Sequence, residues 1–141
     1  MKNGLFLIFL LSMSMLCAAQ ILPPQAVTTN QVDSNRVFSV VEKEAGFAGG
    51  TTAWRDFLVA NLNTAIPLKN KAPKGMYKVV IKFIVAKDGS IKDIEPVTNF
   101  MFGMEDEVMR VISKSPPWIP ALQNGRNVNA YRRQPVTFMV D

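Results

Sequence analysis

"MYKVVIKFIVAKDGSIKDIEPV", residues 76–97, decides the fold. In its first half Tyr77, Val79, Ile81, Phe83 and Val85 fall on every second position, with Lys78 and Lys82 between them. A repeat of two belongs to an extended strand, whose successive side chains point to opposite faces. One face is apolar and the other carries lysine, so the strand is half-buried against a second layer. "KDGS" at 87–90 ends the run, and Gly89 can adopt the positive φ of a tight hairpin. Residues 91–97 are the predicted returning strand, closed by Pro96.

On the N-terminal side lies "FAGGTTAWRDFLVANL", residues 47–62. Gly49 and Gly50 end what precedes, Thr51 or Thr52 can cap a helix, and Trp54, Phe57, Leu58 and Leu62 share one helical face. That face packs a helix on the sheet. Further upstream "VFSVVE", residues 37–42, is expected to form a short edge strand.

On the C-terminal side "GMEDEVMRVISKS", residues 103–115, puts Met104, Val108, Val111 and Ile112 on one helical face. Glu105, Asp106 and Glu107 occupy its first turn and Lys114 its last, as the helix dipole favours. The dipole accounts for this acidic trio without catalysis or a cation site. Ser115 is pushed out of helical geometry by Pro116, and Pro117 and Pro120 stiffen the path around Trp118. A ring of that size buries about 150–250 Å², and Trp118 is expected to be a core staple, a structural residue like Trp54 and Gly89. Residues 128–140 then read as a strand interrupted by Pro135, with Val136, Phe138 and Val140 alternating against Thr137 and Met139. Proline cannot donate to a ladder, so Pro135 predicts an edge strand or a bulge.

With 141 residues, 48% apolar and 19% charged, the chain suits one globular domain. Residues 5–16 are an apolar run followed by Cys17, Ala18 and Ala19, the pattern of an export signal cut after Ala19. An uncleaved inner-membrane anchor, the alternative, needs about 20 apolar residues. Cleavage would remove the single cysteine, leaving a domain that folds on its core alone in the periplasm. Residues 20–36, polar and with a Pro-Pro pair, are expected to be a flexible leader before a domain at 37–141. The net charge of +5 is mild. Together with export, and without a basic-aromatic stripe, it argues against a nucleic-acid partner.

The chain has no histidine. Once Cys17 is removed, the usual general bases, thiol nucleophiles and zinc ligands are missing. Nor is there a G-x-S-x-G elbow or a phosphate-cradling glycine loop. The expectation is therefore a protein that is not an enzyme and has no cofactor and no metal.

Taken in order, "FAGGTTAWRDFLVANL", "GMYKVVIKFIVAKDGSIKDI", "EDEVMRVISKSPPWIPALQNGR" and "QPVTFMV" resemble the C-terminal domain of TonB, in the form common among Bacteroidota. The resemblance covers most of residues 47–140. It implies an α+β, two-layer fold with an antiparallel three-stranded sheet, an added short N-terminal strand and two helices. It also implies that the last strand offers its edge to a short peptide of an outer-membrane receptor, which joins by strand addition. The positions matching that binding strand are Tyr131, Arg132, Arg133, Gln134, Val136, Thr137, Phe138, Met139 and Val140, with Arg126, Arg132 and Arg133 facing acidic receptor residues. An exposed edge also invites a homodimer through paired edge strands.

Transducing members of the family resemble a three-part machine of membrane helix, long proline-rich rod and this domain, and their membrane helix carries a histidine. Here the apolar run reads as cleavable, the leader is short and histidine is absent. The expected function is a periplasmic TonB-like binding module linked to energy-dependent transport. The alternative is a structural or assembly component of the cell envelope built on the same fold.

Overall fold

The computed structural model describes residues 33 and 35–141; the signal expected at 1–19 and most of the leader expected at 20–36 lie outside them. In chain order the elements are β1 (Val37–Phe38), α1 (Gly50–Asn61), α2 (Ile66–Lys69), β2 (Gly75–Val85), β3 (Ile91–Pro96), α3 (Met104–Ser113), β4 (Ala121–Gln123) and β5 (Arg126–Val140). The sheet runs β1-β5-β2-β3, and β4 pairs with the start of β5. β2 is antiparallel to both β3 and β5, which makes the three-stranded antiparallel centre. β1 is the short added strand, parallel to β5 at Val37↔Asn129 and Phe38↔Ala130.

The strand expected over 37–42 is only two residues long. After Phe38 the chain bends away from β5 and runs beside residues 119–122, where Lys43 exchanges backbone bonds with Leu122 and Gly46 with Ile119. β4 and α2 are additions to the expected fold. Both are too short for a hydrophobic period to reveal them.

Neither Thr51 nor Thr52 caps α1. Gly49, left-handed at φ 89°, is the N-cap, and Gly50 donates its N–H to the Phe47 carbonyl at 2.9 Å. The turn is already made by the glycine backbone, so both threonines fall inside the first helical turn. A Cβ at Gly49 would come within 2.8 Å of the Ala53 Cβ, which leaves that position to glycine.

The core lies between the sheet and the helices. Val79, Ile81, Phe83 and Val85 of β2 meet Met104, Val108, Val111 and Ile112 of α3, all of them essentially without solvent contact. Trp118 is 5% exposed and lies edge-on to Trp54 at 4.9 Å, Phe83 at 5.4 Å and Phe47 at 5.7 Å between ring centroids. Its indole N–H donates to Ser115 Oγ at 3.1 Å and its backbone N–H to the Gly89 carbonyl at 2.8 Å. Gly89 has φ 85°, and a Cβ there would collide with the Trp118 carbonyl. The hairpin tip and the proline-flanked tryptophan are thus fastened together.

Two members of the acidic trio do more than face the helix dipole. Glu105 is buried and accepts from the Phe100 N–H at 3.0 Å and the Thr98 hydroxyl at 3.2 Å. Glu107, also buried, accepts from the Asn63 N–H at 2.7 Å and from Arg110 at 2.6 and 2.8 Å, while Arg110 donates to the Asn61 carbonyl. These bonds, those from Arg110 foremost, hold the Glu107 carboxyl below its ordinary range against the opposing effect of burial. Together they tie α3 to the end of α1.

β5 is continuous for fifteen residues, so Pro135 does not interrupt it. The reason is the hydrogen-bond phase of the ladder. Val80, the partner of Pro135, uses both of its backbone groups on the β3 side: its N–H donates to Thr98 Oγ1 and its carbonyl accepts from Val97. Val80 and Pro135 are therefore a pair that exchanges no bond, and the missing N–H is not needed by β2.

Candidate functional site, an open strand edge beside an apolar groove

β5 has an inner edge bound to β2 along its last eleven residues, in the register 75↔140 to 85↔130. Its outer edge is covered only at the start. There β1 pairs with Asn129 and Ala130, while β4 pairs with Arg126, Asn127 and Val128, ahead of the β2 register. Among the described residues, no strand pairs with the outer edge over 131–140.

The phase fixed by Val80 determines which backbone groups that edge presents. A residue's N–H and carbonyl point the same way in a strand, and the direction reverses at each step. The groups of Gln134, Val136 and Phe138 are consequently turned to β2, while those of Arg133, Thr137 and Met139 face outward. Pro135 offers a carbonyl alone.

Side chains alternate with the same period. Tyr131, Arg133, Pro135, Thr137 and Met139 are exposed on the face away from the helices. Arg132, Gln134, Val136, Phe138 and Val140 point to the helical layer, where Phe138 and Val140 are buried in the core. A partner would meet the backbone groups of neither, and of the two side chains only that of Phe138 lines the adjoining groove. The three arginines expected to act together are separated: Arg126 begins β5 at the β4 turn, Arg132 lies 3.4 Å from Glu44, and Arg133 is on the opposite face. Arg133 has Lys82 directly across the strand pair. Lys82 in turn lies 3.0 Å from Glu95 and 5.3 Å above the Tyr131 ring.

The other exposed sheet edge, β3, is a poor template for a further strand. It is six residues long, adjoins an irregularity in the β2 ladder, carries Lys92, Asp93 and Glu95, and holds Asp93 at φ 47°. Short length, charge and irregularity are devices that block pairing.

Alongside the open part of β5 runs a groove of about 660 Å³ whose second wall is α1. Trp54, Leu58, Val59 and Leu62 face Gln134, Val136 and Phe138 across it, and Val59 is 74% exposed. The two walls are linked by a polar relay. The Trp54 indole N–H donates to Gln134 Oε1 at 2.7 Å, and Gln134 Nε2 donates to the Pro135 carbonyl at 2.7 Å. Because an indole N–H can only donate, it requires the amide oxygen, and the NH2 is thereby directed to Pro135.

Sequence reasoning placed the strand but not the α1 wall. Leu58 and Trp54 are conspicuous only as a helical stripe, and Val59 lies outside that stripe. Among the described residues, no group of three or more His, Cys, Asp or Glu side chains could hold a metal ion, and no helix is long and apolar enough to cross a membrane.

Comparison with curated proteins gives no match. A family model, that of the Gram-negative bacterial TonB protein C-terminal, matches residues 77–140. The matched span takes in nearly all of β2 and everything after it, including β3, α3 and the open strand, while α1 precedes it. With its antiparallel centre, packed helix and long terminal strand, the segment 77–140 is similar to the TonB C-terminal domain family.

Proposed function

We propose that this protein is a periplasmic TonB-like module that binds a segment of an outer-membrane receptor as a strand added to β5, in the service of energy-dependent transport. The observation that carries the reading is the open outer edge over 131–140 running beside an apolar groove. Backbone groups of Arg133, Thr137 and Met139 supply the affinity common to any extended chain. Selection comes from side chains. Every second residue of the added strand enters the groove beside Leu58, Val59 and Val136, which favours apolar residues there. Those between lie on the face of Tyr131 and Arg133, where an acidic side chain is favoured.

The test separates the two edges of β5. Proline at Thr137 removes an outward N–H and leaves the β2 ladder whole, whereas proline at Val136 removes an N–H turned to β2. Residues 20–141 are used as bait for detergent-solubilised outer membranes. Thr137→Pro is expected to fold normally and to lose receptor capture. If Thr137→Pro retains every envelope partner of the parent, strand addition is wrong and a structural role in the envelope takes its place.

A further inference from the structure

Pro135 stands near the middle of the proposed docking edge and leaves a defect in it. Any strand that pairs with β5 there, parallel or antiparallel, brings one N–H toward the Pro135 carbonyl and one carbonyl toward the Pro135 nitrogen. The nitrogen has no hydrogen to give. One carbonyl of the incoming chain is thus stranded beside a largely apolar groove, where a lost hydrogen bond is felt most.

We infer that Gln134 is the positioning residue that repairs this defect, a role that rests on the strand-addition reading above. In the free protein its NH2 covers the Pro135 carbonyl at 2.7 Å, the one acceptor that Pro135 presents. Its amide oxygen is fastened to the Trp54 indole N–H at 2.7 Å, and Trp54 is itself buried among Phe47, Phe57 and Trp118. When a strand arrives, its N–H takes over the Pro135 carbonyl. The Gln134 NH2 is then released to the stranded carbonyl next to it, turning about the fixed Trp54 bond. Every polar group is partnered before and after, with one exchange of hydrogen bonds between the two states.

The same arrangement restrains the empty edge. While no partner is present, the middle of the edge offers neither a free N–H nor a free carbonyl, and Arg133 and Thr137 are separated by a neutral gap. A chain that pairs there must displace the Gln134 amide, and the gain is complete only if its own carbonyl falls within reach of the released NH2. Gln134 therefore favours a chain held in regular strand pairing with the edge over one that meets the Pro135 carbonyl alone.

The experiment uses residues 20–141 and, as probe, a decapeptide selected on that protein from a displayed random library, with affinities measured at 0.5 M salt. Gln134→Glu keeps an oxygen for the Trp54 N–H but loses the NH2, and salt screens the added charge. It is expected to weaken the decapeptide about tenfold, the scale of one lost hydrogen bond. Pro135→Ala restores a backbone N–H at the defect, so in that background Gln134→Glu is expected to cost less than about twofold. Gln134→Leu, which also deprives Trp54 of its acceptor, is expected to lower thermal stability in both backgrounds but binding only with Pro135 present.

A loss of equal size in the parent and in the Pro135→Ala background would assign Gln134 to support of Trp54 alone and overturn the inference. No loss in Gln134→Glu would overturn it as well. Thr137→Pro serves as the control on the underlying reading. If that variant binds the decapeptide as the parent does, the peptide does not add to this edge, and the reading and the inference fall together.

Discussion

Gly89 and Trp118 act as one residue pair, because the hairpin tip accepts the tryptophan backbone N–H at 2.8 Å and has no room for a Cβ beneath its carbonyl. Trp118→Ala empties a site lined by three aromatic rings and is expected to lower stability by about 3–5 kcal/mol. Gly89→Ala leaves the ring in place but forces a left-handed backbone on alanine and pushes the two segments apart, for a loss of about 1–3 kcal/mol. Urea unfolding of both variants checks this. Stability that is unchanged in Trp118→Ala would mean that the indole is not part of the core. Glu107 gives a second test at this scale. Its folded pKa is lowered from the ordinary 4.5 by Arg110 first and the Asn63 N–H after it. A lowered carboxylate stabilises the fold above the unfolded value and ceases to do so as pH falls through the folded one. Unfolding curves between pH 6 and pH 2 should therefore show a loss of stability that begins near pH 4.5, and Arg110→Leu should flatten that part of the profile. The arginines differ for a similar reason of local pairing. Arg133→Glu is expected to slow receptor association more at low salt than at high salt, while Arg132→Glu, which loses the Glu44 contact and points to the helical layer, should mainly affect stability.

At the scale of elements, the two prolines proposed for β5 make opposite demands on the sheet. Val136→Pro is expected to cost about 1–3 kcal/mol more than Thr137→Pro, since it leaves a β2 carbonyl without its donor. Chemical denaturation of the pair measures the difference, and equal stabilities would show that the hydrogen-bond phase is assigned to the wrong residues. This phase was hidden in the sequence. Alternation of Val136, Phe138 and Val140 tells which side chains face the core, but side-chain parity says nothing about which backbone groups face which neighbour. Pro135 held a clue, since a proline in a long strand belongs where no ladder bond is required, yet it was equally consistent with a break. The amphipathic pattern of α3 and the period of β2 were legible because each is long enough to repeat several times. α2 and β4, at four and three residues, are not. The link from Trp54 to Gln134 spans eighty positions and leaves no local signature at all. Half of the candidate site, the strand, could thus be read in advance, and the helical wall could not.

At the scale of the whole molecule, an unoccupied edge over 131–140 is open to a second copy as well as to a receptor. Sedimentation of residues 20–141 over a range of concentrations is expected to reveal self-association that Thr137→Pro abolishes. Persistence of a dimer in that variant would move the contact away from β5. Mass spectrometry of the protein isolated from cells addresses the other end of the chain, where a species beginning at Gln20 is expected. A mass retaining residues 1–19 would favour the anchored form.

The unequal seams of β5 have a mechanical meaning. A strand pulled along its own axis loads all of its cross-bonds together, so resistance grows with the number that share the load. The seam to β2 runs for the full eleven residues of that strand. An added peptide can engage at most the shorter outer stretch, in the middle of which the Pro135 nitrogen makes no backbone bond. Under tension the outer seam is therefore the weaker coupling, and a tethered ligand should slip free before the domain is torn open. Force spectroscopy on residues 20–141 joined to a peptide by a flexible tether should record a release event below the unfolding force, and the domain should be ready to grip again when the load is removed.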